Sequence, residues 1–130
     1  MDNNNNKKND EAIGELVSHL LAAQNTARMW HWKVKSFSQH MALGELYDGM
    51  NELIDDLMEI YMGGYGTETW IEISEPNIFS ENTPQEFVAQ LYHFLEMQHE
   101  IIPQDGFLVN KFEELQAIVA RIKYKMENLA

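Results

Sequence analysis

Between Gly63 and Asn82 the apolar periodicity that runs through the rest of the chain stops, and this single long interruption limits which bundles can form. Before it, Ile13, Leu16, Val17, Leu20, Ala23, Ala27, Trp30 and Val34 recur three and four apart, as one face of a helix requires. Leu43, Leu46, Met50, Leu53, Leu57 and Ile60 repeat the pattern. After it, Val88, Leu91, Tyr92, Leu95 and Ile102 form a third stripe, and Leu108, Phe112, Leu115, Val119, Ile122, Met126 and Leu129 a fourth. The first two stripes are separated only by Lys35-Ser36-Phe37-Ser38, and the last two by the stretch holding Pro103 and Gly106.

Local signals set the expected boundaries. The first helix is expected to open near Asp10, because residues 1–9 are low-complexity with four consecutive asparagines and nothing to bury. Ser38 is the expected N-cap of the second helix. Gly63-Gly64-Tyr65-Gly66 ends that helix. Trp70-Ile71-Glu72-Ile73 reads as a short extended piece. Thr83-Pro84-Gln85-Glu86 is a capping box with proline at the first helical position, so the third helix starts there. Short connections make antiparallel neighbours. The long one can climb back along the bundle, since ~20 extended residues at ~3.3 Å each outspan a ~24-residue helix at 1.5 Å per residue. The expectation is an all-α domain over residues 10–130, a four-helix bundle with one long crossover between the second and third helices, preceded by a disordered polar tail at 1–9. That layout is the one found in ferritin-like folds.

Composition removes several function classes. The 130 residues carry a formal charge of −12, which opposes binding to a phosphate polymer, and the tail offers only Lys7 and Lys8, so a DNA partner is not expected. Cysteine is absent, which excludes disulfides, thiolate catalysis and cysteine-bound zinc. No run approaches the ~18 apolar residues of a membrane span, and Met1–Asp10 is polar rather than a signal-peptide core. A cytoplasmic location is the expectation.

The candidate chemistry lies on the first two helices. With Met50 as the centre of the second helix's apolar face, Leu43, Leu46, Leu53 and Leu57 fall within roughly 60° of it, whereas Asp48, Glu52, Asp55 and Glu59 fall about 140–200° away. These acids face away from their own bundle's core. No lysine or arginine stands four residues from any of them on that helix. An outward acidic stripe is ordinarily a solvated face; it becomes a site only when a second subunit covers it. His31 and His40 flank the tight turn, and each taken alone reads as a structural or exposed histidine. Imidazole and carboxylate donors together suit non-haem iron or a similar first-row metal. Glu96-Met97-Gln98-His99 carries the Glu-x-x-His spacing of an intrabundle di-iron site, but such a site needs two copies and the chain has one. The eight methionines and three tryptophans read as packing.

His31-Trp32-Lys33-Val34, followed by Phe37, His40, Leu46-Tyr47-Asp48, Asp55 and Glu59, resembles the ferroxidase segment of the Dps group of mini-ferritins. Lys35-Ser36-Phe37, Tyr47-Asp48 and Ile122-Lys123-Tyr124-Lys125 resemble more closely still the small Dps-like proteins carried by phages. The resemblance implies a homo-oligomer, a dimer or a larger assembly such as a cage, that oxidises and sequesters Fe(II) with oxygen or hydrogen peroxide. His31 and His40 of one chain and Asp55 and Glu59 of its partner would be the metal ligands, with another divalent metal as an alternative occupant. Glu52 and Asp48 would stand behind them as auxiliary ligands. Trp32 would pack against the site or intercept stray oxidising equivalents. Two positions depart from the family pattern: the histidines are only nine residues apart, and Gly44 replaces the acid usually found one turn after the second histidine. Those departures support the alternative expectation, a catalytically inactive ferritin-like assembly module such as a phage structural or host-interaction protein. For a phage-encoded chain the compartment would be the host cytoplasm.

Overall fold

The computed structural model describes residues 3–66, 72 and 83–129, and the side chains of residues 3–6 lie outside that description. Helix α1 spans Asn3–Lys33, α2 Phe37–Tyr65, α3 Pro84–Gln98 and α4 Gly106–Asn128. Among the described residues every regular element is helical, so the all-α four-helix bundle holds.

Two boundaries differ from the sequence expectation. Helix α1 is already helical at Asn3 rather than near Asp10, so residues 3–9, expected as a disordered tail, extend the helix. Adding a turn to a helix already nucleated by its packed segment is far easier than starting one. The N-cap of α2 is Ser36, not Ser38. Ser36 is extended (φ −69°, ψ 126°), and its hydroxyl accepts the Gln39 amide hydrogen at 3.3 Å, which lets Phe37 enter the helix as its first residue. The capping box behaves as expected: Thr83 Oγ1 accepts from the Glu86 amide at 3.1 Å, with Pro84 at the first helical position. Gly66 closes α2 at φ 111°, a conformation that favours glycine, with its amide donating to the Met62 carbonyl at 2.8 Å. The extended piece expected at Trp70-Ile71-Glu72-Ile73 lies outside the described residues except for Glu72.

Helix α2 packs on both α1 and α4, α4 packs on α3, and α3 touches α1, giving the ring order α1–α2–α4–α3. Cross-helix bonds fix the directions. Gln24 Nε2 donates to the Tyr47 carbonyl at 3.1 Å and to Asn51 Oδ1 at 3.3 Å, and Tyr61 donates to Asp10, so α1 and α2 run antiparallel. Lys125 Nζ meets Glu45 at 2.8 Å, Lys111 meets Asp56 at 3.5 Å and Tyr65 donates to Asp105, so α2 and α4 are antiparallel too. His99 Nε2 pairs with Glu113 Oε2 at 3.0 Å across α3 and α4. Helices α2 and α3 are therefore parallel and diagonal, and the connection between them joins opposite ends of the bundle.

The expected apolar stripes converge on one core. Leu16, Leu20, Leu43, Leu46, Met50, Leu91, Phe112 and Ile122 are each fully buried, joined by Phe87 and Tyr61. Each such large side chain contributes about 1.5–3 kcal/mol relative to exposure. His19 has an ordinary structural role: its Nδ1 lies 2.7 Å from the Glu15 carbonyl, and its ring stacks on Phe94 of α3 with centroids 4.4 Å apart.

At the end of the bundle remote from the α1–α2 turn, the Tyr61 and Tyr65 rings stack with centroids 4.8 Å apart. Desolvation, followed by the hydrogen bond to Asp10 and its negative charge, raises the Tyr61 phenol well above its ordinary value. Desolvation and the hydrogen bond to Asp105 push Tyr65 up to about 12. Both phenols favour the neutral form in the fold, so their contribution to stability is fully present below the unfolded value near 10 and is lost as pH rises through the folded value. Alkaline titration followed by phenolate absorbance should show two tyrosines resisting ionisation beyond pH ~10. Tyr61→Phe and Tyr65→Phe should each remove one late-ionising phenol; ionisation of all five tyrosines together near the ordinary value would contradict this.

Candidate metal site at the histidine corner

Helix α1 ends as the Val34 amide donates to the Trp30 carbonyl at 2.9 Å, and α2 starts as the His40 amide donates to the Ser36 carbonyl at 2.9 Å. The turn between them is so short that His31 and His40 face each other across it. Their rings stack with centroids 3.7 Å apart and planes inclined by 17°. His31 Nδ1 lies 2.6 Å from the His40 carbonyl oxygen, and His40 Nδ1 lies 2.8 Å from the His31 carbonyl oxygen. A carbonyl oxygen can only accept, so both Nδ1 atoms carry hydrogen and donate. In the neutral imidazole this leaves the lone pair on Nε2. Neither Nε2 has a hydrogen-bond partner among the described residues. An Nδ1–H held by a carbonyl is also the usual orienting bond of a metal-binding histidine.

The same corner explains Gly44. A Cβ at this position would stand 3.2 Å from His31 Cε1 and 3.3 Å from His31 Nδ1, so the imidazole occupies the space a side chain would need. The edge of Tyr47 closes the other side of His31 with ring centroids 5.3 Å apart, and Arg28 lies 4.9 Å from the Tyr47 ring centre. The short His31–His40 spacing and the missing acid are thus one feature: the tight turn lays His31 over α2, and glycine makes room.

The carboxylates stand where the helical wheel puts them. Asp48, Glu52, Asp55 and Glu59 are exposed, and none has a hydrogen bond or ion pair among the described residues. Acids on the flank of α2 behave differently, since Glu45 and Asp56 meet lysines from α4. Lys111, which reaches Asp56, also binds Glu114 at 2.8 Å, and that bond is the main reason its pKa is raised. Glu52 additionally borders a shallow groove with Gly49, Asp56, Lys111 and Glu114.

The histidines and the carboxylates do not meet within one chain. Fifteen residues separate His40 from Asp55, a rise of about 22 Å along α2. No group of three or more histidine or acidic side chains is placed to hold a metal among the described residues. A centre using His31, His40, Asp55 and Glu59 therefore requires two chains. Trp32 does not pack on the histidines within its own chain; it is 70% exposed, and Phe37 across the turn is 77% exposed. Trp30 takes the inward position instead. The Glu-x-x-His stretch is not an intrabundle site: Glu96 faces His93 at 3.7 Å, while His99 turns to Glu113.

The sequence did not single out the Tyr61–Asp10 and Tyr65–Asp105 pairs. Two tyrosines four apart in the last turns of a helix are compatible with a shared face, but their carboxylate partners lie far away in sequence.

No described helix is long and apolar enough to cross a membrane. No curated protein and no solved structure matches the chain. One family model matches residues 31–126, a span that starts at the first corner histidine and ends in the last turns of α4. With most of its length matched, the chain belongs to DUF5856, a family of unknown function.

Proposed function

We propose that this chain acts as a homo-oligomer that binds Fe(II), or another divalent first-row cation, between two subunits and oxidises iron as a substrate with hydrogen peroxide or oxygen. The observation that carries the reading is the pair of Nδ1-to-carbonyl bonds at the corner, which hold two adjacent imidazoles in the tautomer that offers Nε2 to a ligand. The donor set fits: two neutral imidazoles, with Asp55 and Glu59 of a second chain as hard oxygen donors, suit iron in its reduced form. Iron supplies the electron that the oxidant takes up. The chain's own residues position and attract. Asp48 and Glu52 extend the acidic stripe that draws cations along α2, and the overall charge of −12 concentrates them near the surface. The resemblance to the Dps mini-ferritins and their phage-borne relatives supports the same reading and a cytoplasmic setting, that of the host for a phage-encoded chain.

A second reading, an assembly module without oxidase activity, is favoured by Gly44. The close fit of His31 over that glycine gives the histidine pair an architectural use, joining two helices through one ring stack and two ring-to-carbonyl hydrogen bonds.

Adding Fe(II) anaerobically and then peroxide should produce ferric absorbance well above a protein-free blank, and oxidation at the blank rate would leave only the assembly reading. Light scattering should show a dimer or larger species whose melting temperature rises with divalent metal, because a ligand bound only by the assembled state stabilises it by mass action. Asp55→Asn with Glu59→Gln should abolish that rise while leaving the metal-free fold unchanged or slightly more stable. A monomer with and without metal would refute the inter-subunit site.

Gly44 provides a separate check on the corner. Replacing a mid-helix glycine by alanine ordinarily stabilises by about 0.5–1 kcal/mol. Gly63→Ala, with nothing within 4 Å of the added carbon, should gain part of this. Gly44→Ala should gain little or lose stability, since it presses on His31, and it should weaken metal binding. Equal stabilisation of both variants in thermal melts would show that His31 is not held over Gly44.

A further inference from the structure

Among the described residues, two groups of aromatic side chains stand in opposite electrostatic surroundings. Cations lie over one group: Arg28 is 4.9 Å from the Tyr47 ring centre, Lys123 is 5.5 Å from that of Tyr92, and Lys33 is 5.4 Å from that of Trp30. A positive charge over a ring opposes removal of an electron from it. Carboxylates bind the other group: Tyr61 donates its phenolic hydrogen to Asp10, and Tyr65 donates to Asp105. Only these two tyrosines have a hydrogen-bonded carboxylate among the described residues. The two rings stack on each other, and Tyr61 is 1% exposed. Oxidising a phenol releases a strongly acidic proton, so a base already in place makes the electron easier to remove. Stacking lets the half-buried Tyr65 ring share or refill the vacancy, and burial of Tyr61 shields its own radical from solvent and from coupling with a second radical.

We propose that Tyr61 and Tyr65 form a one-electron reservoir that quenches strong oxidants of the hydroxyl-radical class. In the first step Tyr61 gives one electron to a hydroxyl radical, which becomes hydroxide, while the phenolic proton passes to Asp10. The products are a neutral Tyr61 phenoxyl radical and a protonated Asp10. In the second, Tyr65 passes an electron to the Tyr61 radical and its proton to Asp105, and Asp10 returns its proton to Tyr61. Each step conserves charge and atoms. Tyr61 lies at the same level of α2 as Glu59 but on the buried side of the helix, so an electron leaving it would cross the width of α2 if iron is handled on the outer face. The proposal goes beyond the iron reading and stands on the geometry of the pair.

The test uses the full chain without iron, so failure of iron oxidation and failure of the reservoir are distinguishable. Flash-generated tris(bipyridine)ruthenium(III) supplies the one-electron oxidant. Transient absorbance and electron paramagnetic resonance then record the phenoxyl radical separately from a tryptophanyl one. The wild type should give a phenoxyl radical whose yield or lifetime falls about tenfold in the Tyr61→Phe, Tyr65→Phe double variant and is unchanged in Tyr92→Phe with Tyr124→Phe. Asp10→Asn with Asp105→Asn keeps an oxygen acceptor but removes the proton acceptor. It should cause a comparable fall while circular dichroism remains that of the wild type, which covers the case where the double phenylalanine variant fails to fold. Wild-type radical behaviour in the Tyr61, Tyr65 variant or in the Asp10, Asp105 variant would overturn the proposal. So would an equal loss in the Tyr92, Tyr124 variant.

Discussion

Helix α2 is the constraint on which the rest of the molecule depends. It packs on α1 along one edge and on α4 along the other, so Leu43, Leu46, Met50 and Leu57 are fully committed to the core. A rigid helix with one committed face has no freedom left over the other. Asp48, Glu52, Asp55 and Glu59 must then project outward, and no rotamer brings them into their own bundle. The ion pairs follow the same geometry: acids at the edge of α2 reach lysines on α4, whereas acids at its centre line meet no partner among the described residues.

The histidine corner solves a separate problem, how to turn the chain with three residues between helices. His40 Nδ1 satisfies the His31 carbonyl in the last turn of α1, where carbonyls lack partners within the helix, and His31 Nδ1 in return donates to the His40 carbonyl in the first turn of α2. The geometry has two consequences at once. It makes the turn rigid, and it fixes which ring nitrogen remains available. A structural role and a ligand role are therefore not exclusive here, because the first uses Nδ1 and the second would use Nε2.

Sequence patterning made the fold legible wherever a face was continuously buried or a cap had local chemistry. Thr83-Pro84-Gln85-Glu86 is such a case, since donor and acceptor lie within three residues. Ser36 and Ser38 were harder to separate: both can cap, and the choice depends on how far the Val34–Ser36 turn must swing to stack the two histidines. The helical start of α1 at Asn3 leaves no mark in the apolar pattern, because asparagine content argues against burial whereas helix extension needs none. The outward acids were legible from the wheel alone. The space that Gly44 leaves for His31 was not, because it depends on an interhelical contact that no spacing encodes. The Tyr61–Asp10 and Tyr65–Asp105 bonds were hidden for the same reason.

Charge is distributed along the chain in a way that links these parts. From Leu16 to Gly44 there is not one acidic residue, although the chain holds twenty-one, and Arg28, Lys33 and Lys35 fall inside this window. The window covers the upper part of α1, the turn and the histidines, and Trp32 and Phe37 present exposed rings beside the basic groups. Further along α2 begins the unpaired acidic stripe. One molecule thus carries two complementary surfaces displaced along its rigid second helix, with Asp55 about 22 Å beyond His40. Under the proposed function they would neutralise each other between copies, and a two-fold pairing would satisfy both surfaces twice with one set of contacts. Such a contact would also bring His31 and His40 toward the carboxylates from which the fold of a single chain separates them. Where the charges fall short of full neutralisation, a divalent cation is the natural complement, so under the proposed function assembly and metal uptake would be driven by the same electrostatic imbalance.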